Sequence, residues 1–172
     1  MTEVMKNLLE RRSIRAYTGQ KPTHEQLEQI MQAALYAPSG KNLQSWHFIV
    51  VEDKAVMDRL EQLLARALGR PNYNFYGAPV IILAANQRNG RNAMADCAAA
   101  LQNIMLAAHD MGLGSCWINQ FRDVWEDATV NACLAEIGLP EGYAVQCSAV
   151  IGYPAQTPEP HPRKEGTVTY IR

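Results

Sequence analysis

What this chain lacks narrows it first. It has almost no net charge: sixteen Lys and Arg stand against seventeen Asp and Glu, a formal balance of -1. It therefore carries no electrostatic footprint for nucleic acid or for an acidic membrane. It also lacks any apolar run near the roughly 20 residues of a membrane span, since its richest segment, 93–111, is broken by Asp96, Gln102, Asn103, His109 and Asp110. No Cys-x-x-Cys pair occurs, and the four cysteines at 97, 116, 133 and 147 have no histidine nearby at ligand spacing. That pattern argues against zinc and for buried, reduced thiols. There is no Gly-x-Gly-x-x-Gly dinucleotide fingerprint, and His24, His47, His109 and His161 form no paired arrangement with a serine nucleophile. The first twelve residues carry charges where a signal peptide needs an apolar core, so a cytoplasmic location is expected. What survives these exclusions is a soluble chain with a small-molecule partner, acting on neither nucleic acid nor membrane.

The 172 residues suit one domain, able to bury roughly 70% of its unfolded surface. No repeat and no internal boundary interrupts it. Helical spacing predicts a short helix over 3–11 and a second one opened by Thr23, with Gln26 three residues on as a capping box, and ending before Pro38. The β-branched and aromatic run His47–Val51 predicts a strand, and Asp53 opens an amphipathic helix to about Leu68, stopped by Gly69 and Pro71. Residues 79–85 form a continuous apolar run, as a central strand covered on both faces would. From Arg91 to Met111 the chain is helical and apolar nearly all round, with alanine at 93, 95, 98, 99, 100, 107 and 108, which places it at the centre of the domain or at a subunit interface. A strand over 115–119, a helix over Asp123–Ile137 and a core strand over 145–151 follow. The proline-rich tail from Gly152 cannot form its own core; it either dangles or wraps another surface, and its end, 167–171, is β-prone. Alternating helices and strands, taken locally, suggest a parallel βαβ arrangement.

Two polar segments stand out near the amino terminus. Arg11-Arg12-Ser13-Ile14-Arg15 is a cationic cluster whose forked donors suit phosphate, and Pro38-Ser39-Gly40-Lys41-Asn42 is a turn-rich loop that lets backbone approach a ligand closely. Together they read as a site for an anion-bearing cofactor.

These segments, with Trp46 and Phe48, Ala78-Pro79-Val80, Gly112-Leu113-Gly114-Ser115-Cys116-Trp117 and Ile151-Gly152-Tyr153-Pro154, follow one another in an order that resembles the FMN-dependent nitroreductase family, in its short, single-domain form. The resemblance covers nearly the whole chain. It implies an α+β fold with a central, mostly antiparallel sheet flanked by helices, and an intertwined homodimer with FMN at its interface, the tail 152–172 packing on the partner. On this point the resemblance is followed over the local parallel reading. It further implies that NADH or NADPH donates hydride in a ping-pong cycle and that an electron-poor acceptor, a nitroaromatic, quinone or flavin, takes it up. The alternatives within the resemblance are a free-flavin or enone reductase, or a flavin-binding protein without turnover.

Carried over by residue, the resemblance assigns Arg11 and Ser13 to the FMN phosphate, with Arg12 adding charge, and Arg15 to the pyrimidine edge of the ring. It assigns Pro38, Ser39 and Asn42, helped by Gln44, to the neighbouring subunit's flavin. Asn72 or Asn74 lies near the ring, Asn119 and Gln120 pass beneath it by their backbone, and Arg163, with Lys164 or His161, completes the phosphate site. No side chain is required as nucleophile or obligatory acid, and no metal is implied. The 69–78 region is too short for the covering helices of longer members, so the pocket should be open or covered by the partner.

Overall fold

The structure is a computed structural model that describes residues 1–172. Four strands, β1 (His47–Val51), β2 (Val80–Gln87), β3 (Gly114–Ile118) and β4 (Tyr143–Gly152), form one sheet in the order β1-β2-β4-β3, every pairing antiparallel. The continuous apolar run does become a central strand, β2, buried from Val80 to Asn86. The local parallel reading is corrected for a definite reason. β2 and β3 do run in the same direction, joined by a helix, but β4 returns to fill the slot between them and pairs with both. Strand order across a sheet is a long-range property that hydrophobic period cannot report.

Helices cover both faces. On one, α2 (His24–Leu35) and α4 (Ala93–Asp110) bury Leu27, Ile30, Leu101 and Ile104 against Val80, Ile82 and Ala149. On the other, α3 (Lys54–Ala67), α5 (Gln120–Asp123) and α6 (Ala128–Glu136) bury Leu60, Leu64, Phe121 and Val130 against Ile81, Leu83 and Val150. Each such aliphatic side chain, fully buried, contributes about 1.5–3 kcal/mol. The expected capping box is present: Thr23 Oγ1 accepts from Gln26 N at 3.2 Å and Gln26 Oε1 accepts from Thr23 N at 2.9 Å. The helix expected over Asp123–Ile137 starts later, at Ala128 (α6), after a separate short turn of helix, α5, has ended at Asp123. Val124 leaves helical geometry, and Asp127 restarts the chain as a new N-cap, accepting from Thr129 N and Val130 N at 2.9 Å. An aspartate inside a helical pattern that can satisfy free amides is a start signal, and here it outweighs the pattern.

Two segments lie outside this sandwich. α1 (Glu3–Glu10) buries none of its residues, and Val4, Met5, Leu8 and Leu9 face outward. The tail is extended and exposed beyond Pro158; its β-prone end forms no strand and leaves Val168, Tyr170 and Ile171 uncovered. A strand needs an edge to pair with, and residues 167–171 pair with none in their own chain.

Candidate cofactor site

Between α1 and α2 the chain runs extended along the free edge of β3. Ile14 N donates to Ser115 O at 2.9 Å, Thr18 N to Tyr153 O at 3.0 Å and Ala155 N to Ala16 O at 2.9 Å, while Tyr17 Oη donates to Ile14 O at 2.8 Å. The cationic segment is thus an irregular strip sealing a sheet edge rather than a solvated helix end. Its seat depends on Gly114, where an added Cβ would lie 2.7 Å from Ile14 Cγ1.

The strip separates two cavities. One, of about 430 Å³, is walled by Arg11, Arg12, His109 and Ser115 and roofed by the tail from Pro154 to Pro160. Arg12 Nη1 donates to the carbonyls of Leu9 (2.7 Å) and Arg11 (2.8 Å), which braces the end of α1. Yet Arg11 Nη1, Arg12 Nε and Ser115 Oγ are all buried without a hydrogen-bond partner. Burial lowers the pKa of Arg11, and the neighbouring Arg12 and Arg163 lower it further, against an opposing contribution from Cys116. His109 is lowered too, by burial and then by Arg11. Two guanidinium nitrogens and a hydroxyl without partners, under mutual cationic repulsion, constitute a demand for an anion. A phosphate monoester fits that demand.

Arg15 opens onto the other cavity, of about 700 Å³, together with Asn74, Tyr76, Lys21 and Pro79. Of the two asparagines left open by the sequence, Asn74 lines this cavity, while Asn72 is exposed and supplies only its carbonyl, which accepts from Asn74 Nδ2 at 3.3 Å. Asn74 Oδ1 also accepts from Tyr76 N at 2.7 Å, holding Tyr76 at φ 60. At the far end of β3, Asn119 and Gln120 begin α5, and Gln120 Oε1 accepts from Asn119 N at 3.2 Å and from Tyr73 Oη at 3.4 Å. Ser13 sits on the strip between Arg11 and Arg15, bridged to Ser115. Arg163 is exposed but near enough to depress Arg11.

The Pro38–Asn42 loop is elsewhere. It packs on the first turn of α4, where Gly40 N donates to Asp96 Oδ1 at 2.9 Å, whereas the arginine strip shares its cavity with His109 at the last turn. Thirteen residues of α-helix, from Asp96 to His109, separate the two by about 20 Å. The loop is internally tied and backbone-strained. Gln44 N donates to Ser39 Oγ at 3.0 Å and Gln44 Nε2 to Asn42 Oδ1 at 2.8 Å, while Lys41, Asn42 and Gln44 all take left-handed φ, near 50°. Such residues cost of order 1 kcal/mol each.

A family model described as the nitroreductase family matches residues 8–153. The chain belongs to the nitroreductase family. The fold supports this independently: a nitroreductase of Bacteroides fragilis crystallised with bound FMN is 30% identical, with both chains covered in full and a TM-score of 0.95. A nitroreductase of Desulfitobacterium hafniense, also with bound FMN, is 32% identical over both full chains with a TM-score of 0.90. Among curated proteins, an FMN reductase [NAD(P)H] of Bacillus subtilis is 30% identical over 185 residues, 95% of this chain and 70% of that protein. Two residues that the sequence did not single out stand at these places: Ser115 lines the arginine cavity and Asp96 anchors the Gly40 loop. Ser115, inside β3, could have been noticed only as the hydroxyl on an apolar strand, and Asp96 as the carboxylate in an alanine-rich helix.

Proposed function

We propose that this nitroreductase is an FMN-dependent oxidoreductase that draws hydride from NADH or NADPH and delivers it to an electron-poor acceptor in a ping-pong cycle. The observation that carries the reading is the set of buried, partnerless donors at Arg11 Nη1, Arg12 Nε and Ser115 Oγ on one cavity wall. Arg11, Arg12 and Ser13 would hold the phosphate, with Arg163 closing over it from the tail. Arg15 and Asn74, sharing one cavity, would receive the pyrimidine edge of the ring. The backbone at Asn119 and Gln120 would lie beneath it. Bound there, FMN supplies the hydride-accepting and hydride-donating chemistry.

This chain's own residues position and tune. A guanidinium at Arg15 favours the negative charge of a reduced ring and so raises its potential. Exposed Arg15, with no hydrogen bond inside the chain, is free for that role. Nothing on the strip is placed as a nucleophile: the one thiol beside it, Cys116, is buried, and burial raises its pKa despite Arg15, Ser13 and Arg11 nearby.

The second half of the site would come from another copy. With the Ser39–Asn42 loop and the arginine strip at opposite ends of α4, a homodimer with its two α4 helices running in opposite directions would bring each loop to the other's strip. The outward apolar face of α1 and the uncovered Val168, Tyr170 and Ile171 of the tail supply surface for such an association. Free flavins belong among the acceptors to be tried, alongside nitroaromatics and quinones, because the Bacillus subtilis relative is named for FMN reduction.

The test is optical and anaerobic. The purified protein should show flavin absorbance near roughly 450 nm that NADH or NADPH bleaches and an added acceptor restores. Protein that is colourless and takes up no added FMN would refute the reading. In an FMN-loaded Arg15→Ala variant the flavin potential should fall; an unchanged potential would remove Arg15 from the ring.

A further inference from the structure

The loop that carries Pro38, Ser39 and Asn42 owes its shape to a residue it does not contain. Asp96, in the first turn of α4, is only 7% exposed, and Gly40 N donates to its Oδ1 at 2.9 Å. No other side-chain hydrogen bond ties this loop to the helix. On the same helix end a Cβ on Gly40 would stand 2.0 Å from Nδ2 of Asn92, an exposed side chain that would have to swing aside to admit it. Beyond this anchor three non-glycine residues hold left-handed φ, a conformation that a free loop would relax. Charged acceptors make the stronger hydrogen bonds to backbone amides, and a buried one is the more costly to lose.

We propose that Asp96 is a positioning residue acting between subunits: it fixes the 38–44 loop of its own chain so that Ser39 and Asn42 are presented to the flavin held by the partner's arginine strip. The inference rests on the FMN reading above, and extends it to a residue about 20 Å along α4 from the phosphate cavity of its own chain. Asp96 itself touches no cofactor. Its effect is therefore felt in the other copy's site and not in its own.

That directionality gives the test. Asp96→Ala should bind FMN at least about tenfold more weakly, as loss of a charge-assisted hydrogen bond implies, while Asp96→Asn, which keeps an acceptor at Oδ1, should recover most of the affinity. The deciding experiment uses a heterodimer, made by co-expressing differently tagged Asp96→Ala and Arg11→Ala chains and purifying through both tags. If Asp96 acts on the neighbour, the two defects fall on one site and the other site is intact, so the heterodimer holds one tightly bound FMN per dimer with the wild-type dissociation constant and flavin potential. If Asp96 acts within its own subunit, each site carries one defect and no wild-type site appears; that outcome overturns the proposal. Unchanged FMN affinity in a folded Asp96→Ala homodimer overturns it as well. Should the Ala variant not fold, Asp96→Ser, too short to reach Gly40 N, replaces it in the same heterodimer with the same two outcomes. Wild-type protein that binds no FMN would instead defeat the functional reading on which this one stands.

Discussion

Arg11 concentrates the chemistry of the site at the scale of one residue. Its Nη1 is buried with no partner, and burial together with two nearby arginines weakens its hold on its proton. Arg11→Ala removes both the repulsion and the donor, so two outcomes are expected together: the apo protein is no less stable, and FMN affinity falls by about tenfold or more. Isothermal titration and thermal melting in the absence of FMN read the two separately, and weaker melting without loss of affinity would show Arg11 to be structural. The cysteines make a second case. All four are buried and unpaired in disulfides, and burial pushes Cys97 up to about 12 and raises the others as well. Since the thiolate is the reactive form, a disulfide reagent at neutral pH should label none of them in the native protein and all four once it is unfolded in denaturant. The burial of Cys133 comes from the fold; that of Cys97, Cys116 and Cys147 was legible in the sequence from their apolar neighbours. The open donors of Arg11 were not, because a string of arginines near a helix looks the same whether solvated or folded onto a sheet edge.

Among the elements, the strip from Arg11 to Tyr17 and strand β3 act as a unit. Ile14 rests against Gly114 so closely that a methyl group there meets three of its side-chain atoms within 2.9 Å. Gly114→Ala should force the strip outward, costing about 1–3 kcal/mol of stability and loosening FMN by displacing Arg11 and Ser13. Melting temperature and cofactor affinity should fall together, and a stable, FMN-replete variant would show the strip to be less constrained than its contacts imply. The elements themselves were largely readable. The capping box at Thr23, the Asp53 cap of α3 and the unbroken apolar run of β2 are local signals, and each marks what the fold contains. Asp127 was a local start signal too, but a helix predicted over Asp123–Ile137 ran through it and missed the break at Val124. The direction of β4 and its place between β2 and β3 follow from packing across the whole sheet, for which no single window of sequence holds information.

For the whole molecule, the exposed face of α1, the uncovered end of the tail and the separation of loop from strip all point to assembly. Light scattering should give twice the chain mass of 19.2 kDa. Truncation after Pro162, which removes Arg163 and the apolar end of the tail, should weaken both the dimer and FMN retention; a truncated chain that keeps both would free the tail of either duty. The Arg11–Arg15 and Pro38–Asn42 segments lie close in sequence, which invites reading them as one pocket. Only the fold reveals that a helix of 18 residues stands between them.

That helix has a consequence for how the chain can change over time. Each residue added to or removed from α4 would shift one end against the other by about 1.5 Å and rotate it by about 100°. In the proposed homodimer the strip and the loop would then no longer match their counterparts in the other copy. Substitutions along α4 can be absorbed singly, but its length behaves as a fixed gauge. A change of length in the turn at 69–77 should by contrast be tolerated, because it lies outside α4 and leaves the helix's two ends where they are.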